Sequence, residues 1–480
     1  MGSIKTPGLT WSSPEPGVHV RRADCLESNF ATMGDLGAPL GKQLWAISSA
    51  LKLSFPTSIS DPIPYLQGAW LETRRFHPVL GATISPGDVS MSTPRIITVP
   101  ALNKDDFLRD AFVIHNDGVK DATELATKMT AKDCGTMHWI PATNQVMLHV
   151  AHWKMDGVGT VMMWANFLEF LATLLEKGPG AVPESGSNLT ECVDALVSSP
   201  KDEESTPSYL EAVVDGIVGT FIKGIPGIGP PVKAGTEQGA IPEKTSVRHI
   251  TLDEATTKGV IEACKKNDWS VSAIAQAALI KSLATYPQHP MAKHFSTFVP
   301  VQLRRFLPAP YDSVSHAAGC IVTAWVLFVE NASSRSFNDI AKATNEVFRK
   351  DFTQVTKDDQ GQDVGLVDCT APYSRRTIKL FTTNPAPELP PRTTPAMSSL
   401  GILEKYIKRD YPVGGEKLTV DDFFLSLEML AQDQYVHVWT FRDRLNLQVS
   451  ANSAFFEDAS LDDELHRIKN ELLAGLGVAE

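Results

Sequence analysis

The chain has no surplus of positive charge: 44 Lys and Arg stand against 56 Asp and Glu, a formal net charge of −12. Such a balance repels phosphate backbones, and no segment interleaves Lys or Arg with aromatics in a way that offsets it, so nucleic acid is not an expected partner. Long apolar runs are missing too. No stretch approaches the roughly 18 apolar residues that span a bilayer, and the opening MGSIKTPGLTWSSPEPG holds no apolar h-region. Neither a membrane span nor a secretory leader is expected. Cysteine is scarce: Cys25, Cys134, Cys192, Cys264, Cys320 and Cys369 lie far apart without a C-x-x-C. Scattered thiols of this kind fit a reducing, cytoplasmic setting better than a disulfide or zinc framework, so no metal is expected. The sequons at Asn188 and Asn331 then carry no consequence, and Pro7 stands where a myristoylation signal needs Ser or Thr. The glycines near 224–235 are not followed by Gly-Lys-Ser/Thr, which excludes a phosphate-binding loop there. No repeat recurs at a fixed period.

What is present describes an ordinary folded protein. With 43% hydrophobic and 21% charged residues in 480, the chain is longer than one core usually serves, and two domains of similar size are expected. The Pro- and Gly-rich segment GIPGIGPPVKAGTEQGAIPEKTS reads as a crossover. It divides an N-terminal half, 1–223, from a linker, 224–245, and a C-terminal half, 246–480. A second polar stretch, from about 178 to 208, reads as a loop, and 351–398 as a long irregular region.

Each half mixes β-branched runs of four to eight residues with longer 3.6-period segments, the pattern of α/β or α+β layers. GTMHWI, the turn PATN and QVMLHVAH read as a hairpin of core strands, and 158–178 as an apolar helix stopped at Gly178-Pro179-Gly180. In the second half SVRHITL reads as a strand, DEATTKGVIEACKKN as a helix begun by Asp253, and VSAIAQAALIKSLATY as another helix. HFSTFVPVQL and CIVTAWVLFVE read as buried strands. YVHVWTFRDRLNLQVSANSAFF reads as a hairpin turning at Arg442-Asp443-Arg444, before a last helix.

The segment with chemistry in it is VMLHVAHWKMDGVG, where a strand ends at His152 and a helix begins just after Asp156-Gly157. With this H-x-x-x-D-G motif go 246–286, FVPVQLRR at 298–305, SSLGILEKY at 398–406 and the hairpin around LNLQVSANSAFF. Together they resemble the superfamily of chloramphenicol acetyltransferase, plant BAHD acyltransferases and peptide-synthetase condensation domains. Among its members the chain is most similar to the fungal alcohol O-acetyltransferases of secondary metabolism, the group that contains trichothecene 15-O-acetyltransferases. Two features depart from relatives: Ala151 stands where many condensation domains carry a second His, and the D-F-G-W-G of BAHD enzymes is missing, with SSLGI on the equivalent strand.

The resemblance implies two chloramphenicol-acetyltransferase-like domains, each a mixed sheet flanked by helices, with the active-site channel between them. It implies an O-acyltransferase that moves an acyl group, acetyl first, from coenzyme A to a hydroxyl of a hydrophobic small molecule. His152 would be the general base, since a histidine is neutral at cellular pH and can accept the hydroxyl proton. Asp156 would point away from the substrate and pair with an arginine, the matching position being Arg304. Gly157 would allow a tight turn from strand to helix, and Ser399 or its neighbours would contact the thioester oxygen. No permanently bound cofactor is implied; acyl-CoA is a co-substrate, and a monomer suffices because both halves share one chain. Rival readings keep the fold with a carrier-protein thioester as donor, turn it to cyclisation or isomerisation without a donor, or leave it a scaffold.

Plainer readings cover other residues. His149 should face away from His152 and be structural. Met162, Met163, Trp164, Phe167, Phe170 and Leu171 read as core. Arg375-Arg376 and Lys405, Lys408 and Arg409 read as solvated charge, and Tyr373, Phe381 and PAPELPP as loop.

Overall fold

The computed structural model describes residues 7–88, 93–181, 186–197, 204–237, 239–383, 389–390 and 392–479. The 385–391 stretch therefore lies almost wholly outside the described residues. Beside an antiparallel four-stranded sheet in the order Ser12–Glu15, Val18–Arg22, Ile96–Val99, Thr83–Ile84, two mixed sheets organise the rest. One has six strands in the order Asp410–Val413, Glu416–Leu427, Ile47–Ser54, Gln145–Val150, Thr136–Ile140, Phe112–Ile114. The other has four, in the order Ala396–Ile402, Gln434–Phe441, Arg444–Asn452, Thr245–Thr251. Both are mixed, since Phe112–Ile114 runs parallel to its neighbour, as does Ala396–Ile402. The remaining long pair, Phe295–Gln302 with Val322–Val329, is antiparallel.

Sequence order and sheet membership part company at one place. The hairpin formed by Asp410–Val413 and Glu416–Leu427 comes late in the chain, yet Glu416–Leu427 pairs antiparallel with Ile47–Ser54, Leu427 standing opposite Ile47. The C-terminal half thus supplies two strands to the N-terminal sheet, and the two lobes are stitched together by backbone hydrogen bonds. This joins the faces from which the cavity below is built.

The 21-residue helix Gly157–Lys177 is long and apolar enough to cross a membrane by length and composition, contrary to the expectation that no such stretch exists. Its position explains the composition. Val161, Met163, Trp164, Phe167, Leu168 and Leu171 are buried in one cluster with Trp70 of the helix Ile63–Phe76 and with the sheet strands, so its apolar surface is spent on the core. The C-terminal core packs Val271–Leu283, Phe337–Phe348 and Asp458–Leu476 against the four-stranded sheet. Asp253 caps Glu254–Lys266 by accepting from the Thr256 amide, as its position predicts. Arg442 and Asp443 both take positive φ, the primed-turn conformation that closes a two-residue hairpin. Within the region read as irregular, Thr370–Thr382 is a helix. Ser208–Lys223 is another helix, at a place where sequence reading assigned none.

Glu464 is 1% exposed inside the C-terminal core. Burial raises its pKa from 4.5 to about 8, outweighing the Gln434 amide beside it. Between about pH 4.5 and 8 the folded chain holds a proton that the unfolded chain has lost, so stability falls as pH rises through that window. Glu464→Gln should therefore raise the melting temperature by several degrees at pH 8.5 and leave it nearly unchanged at pH 4.5. A thermal-shift series across pH checks this; equal curves for the two proteins would show that Glu464 is ionised in the fold.

Candidate active site

His152 owes its position to the central strand Gln145–Val150, which is flanked by Ile47–Ser54 and Thr136–Ile140 and is nearly all buried. The strand runs out at Val150, and His152–Lys154 make one 3-10 turn. Met155 returns to extended backbone, and Asp156 caps Gly157–Lys177 by accepting from the Gly159 amide at 2.8 Å. A strand end, a single turn and a helix start within seven residues leave the imidazole little freedom to move. Behind it, Lys154 is fully buried, its ammonium donating to the Ala82 carbonyl and lying 4.0 Å from the Trp153 ring centroid. His149, on the opposite face of the strand, sits with Nδ1 3.0 Å from Ser48 Oγ.

The Asp156 carboxylate does not reach for the imidazole; its acceptor positions are already taken. Arg304 Nη1 donates to both oxygens, at 2.9 and 2.7 Å, Gln302 Nε2 donates to Oδ1 at 3.1 Å, and the Ile321 amide donates to Oδ2 at 3.0 Å. Arg304 Nη2 in turn donates to the Ala317 and Gly319 carbonyls at 2.8 and 3.3 Å. Asp156 and Arg304 are 1% and 2% exposed. This is a buried ion pair with several hydrogen bonds to each partner, and it fastens the motif turn of one half to the strand end Phe295–Gln302 of the other.

The two motif glycines have different requirements. Gly157 lies outside the positive-φ glycines, and a Cβ there would meet Leu400 Cδ2 at 3.0 Å, so its smallness keeps room at the cavity wall and the expected tight turn is not what it provides. At Gly159 a Cβ would stand 2.5 Å from the Ala317 carbonyl oxygen and 2.8 Å from Arg304 Nη2. The close approach of backbone to the ion pair demands glycine at 159.

His152 lines a cavity of about 160 Å³ between the lobes. Ile47, Leu425 and Leu427 face it from the six-stranded sheet, Ser398, Leu400, Tyr435 and His437 from the four-stranded sheet, and Phe298, Pro300 and Ala324 from the long hairpin. The helix Thr370–Thr382 adds Tyr373, Thr377 and Phe381, which sequence reading left in a loop. Phe30, on the helix Cys25–Asp35, stacks on the His152 ring with centroids 4.1 Å apart and planes 9° from parallel. A second, smaller cavity of about 20 Å³ shares only Phe30 and His152 with the first.

Burial pushes the His152 pKa down to about 4, although its own backbone carbonyl and the Asp156 charge favour the protonated ring. The imidazole is thus neutral across the cellular range and ready to accept a proton. Nδ1 is sealed from solvent, which leaves Nε2 as the nitrogen open to the cavity. Ser399 points elsewhere: its hydroxyl is 2.7 Å from Ser272 Oγ, and strand alternation turns Ser398 to the cavity instead. Arg375 and Arg376 are not free surface charge; both pair with Glu211.

Comparison with known proteins agrees with this fold. Residues 242–450 match the family model of the phthiocerol/phthiodiolone dimycocerosyl transferase C-terminus. Over 98% of this chain and 88% of its own length, the O-acetyltransferase pigM of Monascus ruber is 25% identical. A protein of Epichloe uncinata named loline biosynthesis cluster 1 transcription factor lolU1 is 26% identical over 99% of this chain and 98% of its own. The solved structure of TRI3 trichothecene 15-O-acetyltransferase from Fusarium sporotrichioides superposes with a TM-score of 0.78 at 16% identity, covering 99% of this chain and 100% of that one. Two mixed sheets joined by a strand exchange, with the H-x-x-x-D-G turn at the cavity between them, give this chain the two-lobed fold of that acetyltransferase, and the relatives named as acetyltransferases support an acyltransferase.

Proposed function

We propose that the protein is an acyl-CoA-dependent O-acyltransferase of fungal secondary metabolism, moving an acetyl group to a hydroxyl of a largely apolar small molecule. The observation that carries this is a neutral, half-buried histidine lining an inter-lobe cavity, on a turn held by a buried carboxylate–guanidinium pair. His152 Nε2 takes the acceptor's hydroxyl proton as its oxygen attacks the thioester carbonyl. The tetrahedral intermediate then collapses, the C–S bond breaks, and the imidazolium returns the proton to the leaving thiolate. Ester and free coenzyme A result, with no acyl-enzyme and no resident cofactor. Asp156 and Arg304 fix the turn, Gly157 keeps the cavity wall open, and Ser398, in place of Ser399, is the side chain suited to donate to the developing oxyanion. One chain supplies the whole site, so a monomer suffices, and six free thiols suit the cytoplasm. The transcription-factor name of the Epichloe relative is not carried over, because a net charge of −12 opposes DNA binding.

The test is thiol release from acetyl-CoA with a panel of polycyclic alcohols, repeated with an acetylated carrier protein, and ester identified by mass spectrometry. Acceptor-dependent release from coenzyme A supports the proposal. Transfer from the carrier protein alone, or product formed without any donor, would replace it with one of the rival readings.

The desolvated base also sets a pH dependence. kcat/KM should stay level from pH 8 down to about 5 and fall only as pH drops through about 4, because protonation removes the base. A break near the ordinary histidine value of 6.5 would mean that the ring is hydrated in the working enzyme.

A further inference from the structure

Tyr435 and His437 alternate on the strand Gln434–Phe441, Asp433 immediately precedes it, and all three line the cavity. At 3.3 to 3.4 Å per residue this polar stripe is about 13 Å long, and it ends near His152. The proximity shows in the His437 ring, whose pKa is pushed down to about 3 by burial and by the charge His152 would carry. The ring is therefore neutral, with one nitrogen to donate and one to accept. His437 is 2% exposed, and its Nδ1 has no hydrogen-bond partner among the described residues. The same holds for Asp433 Oδ1, and for Thr323 Oγ1 and Tyr373 Oη on the facing walls. Four buried polar atoms without partners among the described residues, in a cavity that Phe298, Phe381 and Leu427 also line, call for a ligand with its own hydrogen-bonding groups. The stripe ends in a carboxylate with a free acceptor oxygen. Arg392 lines the same cavity and its charge acts on Asp433, so this end is a carboxylate facing a guanidinium; the neutral imidazole and hydroxyls of the stripe and its facing walls, set among Phe298, Phe381 and Leu427, suit the apolar acceptor.

Building on the acyl-transfer reading, we propose that His437 is a specificity-determining residue. It holds a second oxygen function of the acceptor beside the reacting hydroxyl, so the preferred acceptors are diols or hydroxyketones on an apolar ring skeleton.

Binding separates this from the chemistry. With His152→Ala as the background, calorimetry compares a polycyclic terpenoid vicinal diol with its singly deoxygenated analogue. The diol should bind about tenfold more tightly, the value of one well-made hydrogen bond. Adding His437→Leu should shrink that preference to less than about threefold, and His437→Gln, which keeps a donor and an acceptor, should restore part of it. Equal affinities in the parent, a preference that survives His437→Leu, or no binding of either compound at millimolar concentration would overturn the proposal. If the preference behaves as expected while no acetyl transfer occurs from coenzyme A, the acyl-transfer reading fails and the acceptor site stands.

Discussion

Replacing His152 by alanine should lower acceptor-dependent thiol release by about a hundred- to ten-thousand-fold, the usual contribution of a positioned general base, or roughly 3 to 5 kcal/mol of barrier. The loss should fall on kcat, with KM for acetyl-CoA nearly unchanged, since the imidazole does its work in the transition state. Two features make this loss specific. The pKa of about 4 means that nearly all of the wild-type protein carries the competent neutral ring at pH 7, so no second group is needed to deprotonate it. The Asp156 carboxylate is held by Arg304, Gln302 and the Ile321 amide, so it cannot take over as base when the ring is gone. His152→Gln should be as inactive as His152→Ala while better preserving the stack with Phe30. Ester formation at the wild-type rate in either variant would remove His152 from the mechanism.

How far the site could be read in the sequence depends on what each residue's environment is made of. His152, Asp156 and Gly157 sit within six residues, and their arrangement follows from local rules: a strand that ends, a cap that accepts from the third residue on, a helix that starts. Arg304 lies 148 residues away, and only family resemblance singled it out; the pairing itself is a tertiary fact. His437 escaped for another reason. The strand Gln434–Phe441 is buried or half-buried on both faces, so alternation could not say which side looks into a cavity. The spacing Asp433-x-Tyr435-x-His437 was nonetheless a usable signal, three polar or ring-bearing residues at alternate positions leading into a core strand. Thr370–Thr382 escaped because its cap, Cys369, makes no side-chain hydrogen bond and Pro372 falls in its first turn, so the start carries no capping signature although proline is tolerated there.

The fold shows the same division between local and distant causes. Hairpins joined by short turns, such as Gln434–Phe441 with Arg444–Asn452, lie where patterning predicts them. The strand Glu416–Leu427 was not among the elements read from the sequence, and its partner Ile47–Ser54 lies more than 360 residues earlier, so chain order alone would have left it in its own half. That exchange is also what places Leu425 and Leu427 on the cavity wall beside Ile47.

Breaking the Asp156–Arg304 pair should be the most costly single change to stability. Arg304→Met leaves a carboxylate that is 1% exposed with its principal counter-charge gone, and removal of one partner of a buried pair costs about 3 to 5 kcal/mol. The Ala317 and Gly319 carbonyls would lose their donor as well. Because Asp156 also caps Gly157–Lys177, the damage should spread to the His152 turn, and kcat should fall even at temperatures where the variant is folded. The double variant Asp156→Leu with Arg304→Met gives the sharper result. Removing both charges removes the desolvation cost, so the double variant should melt above Arg304→Met while remaining poorly active, since the turn has lost its cap. Calorimetry on the two variants, with kcat measured well below the lower melting temperature, checks both parts. A double variant no more stable than the single one would mean that the amide and Gln302 contacts hold the carboxylate without the arginine. Full activity in the double variant would mean that the pair holds the lobes together without aiming the base.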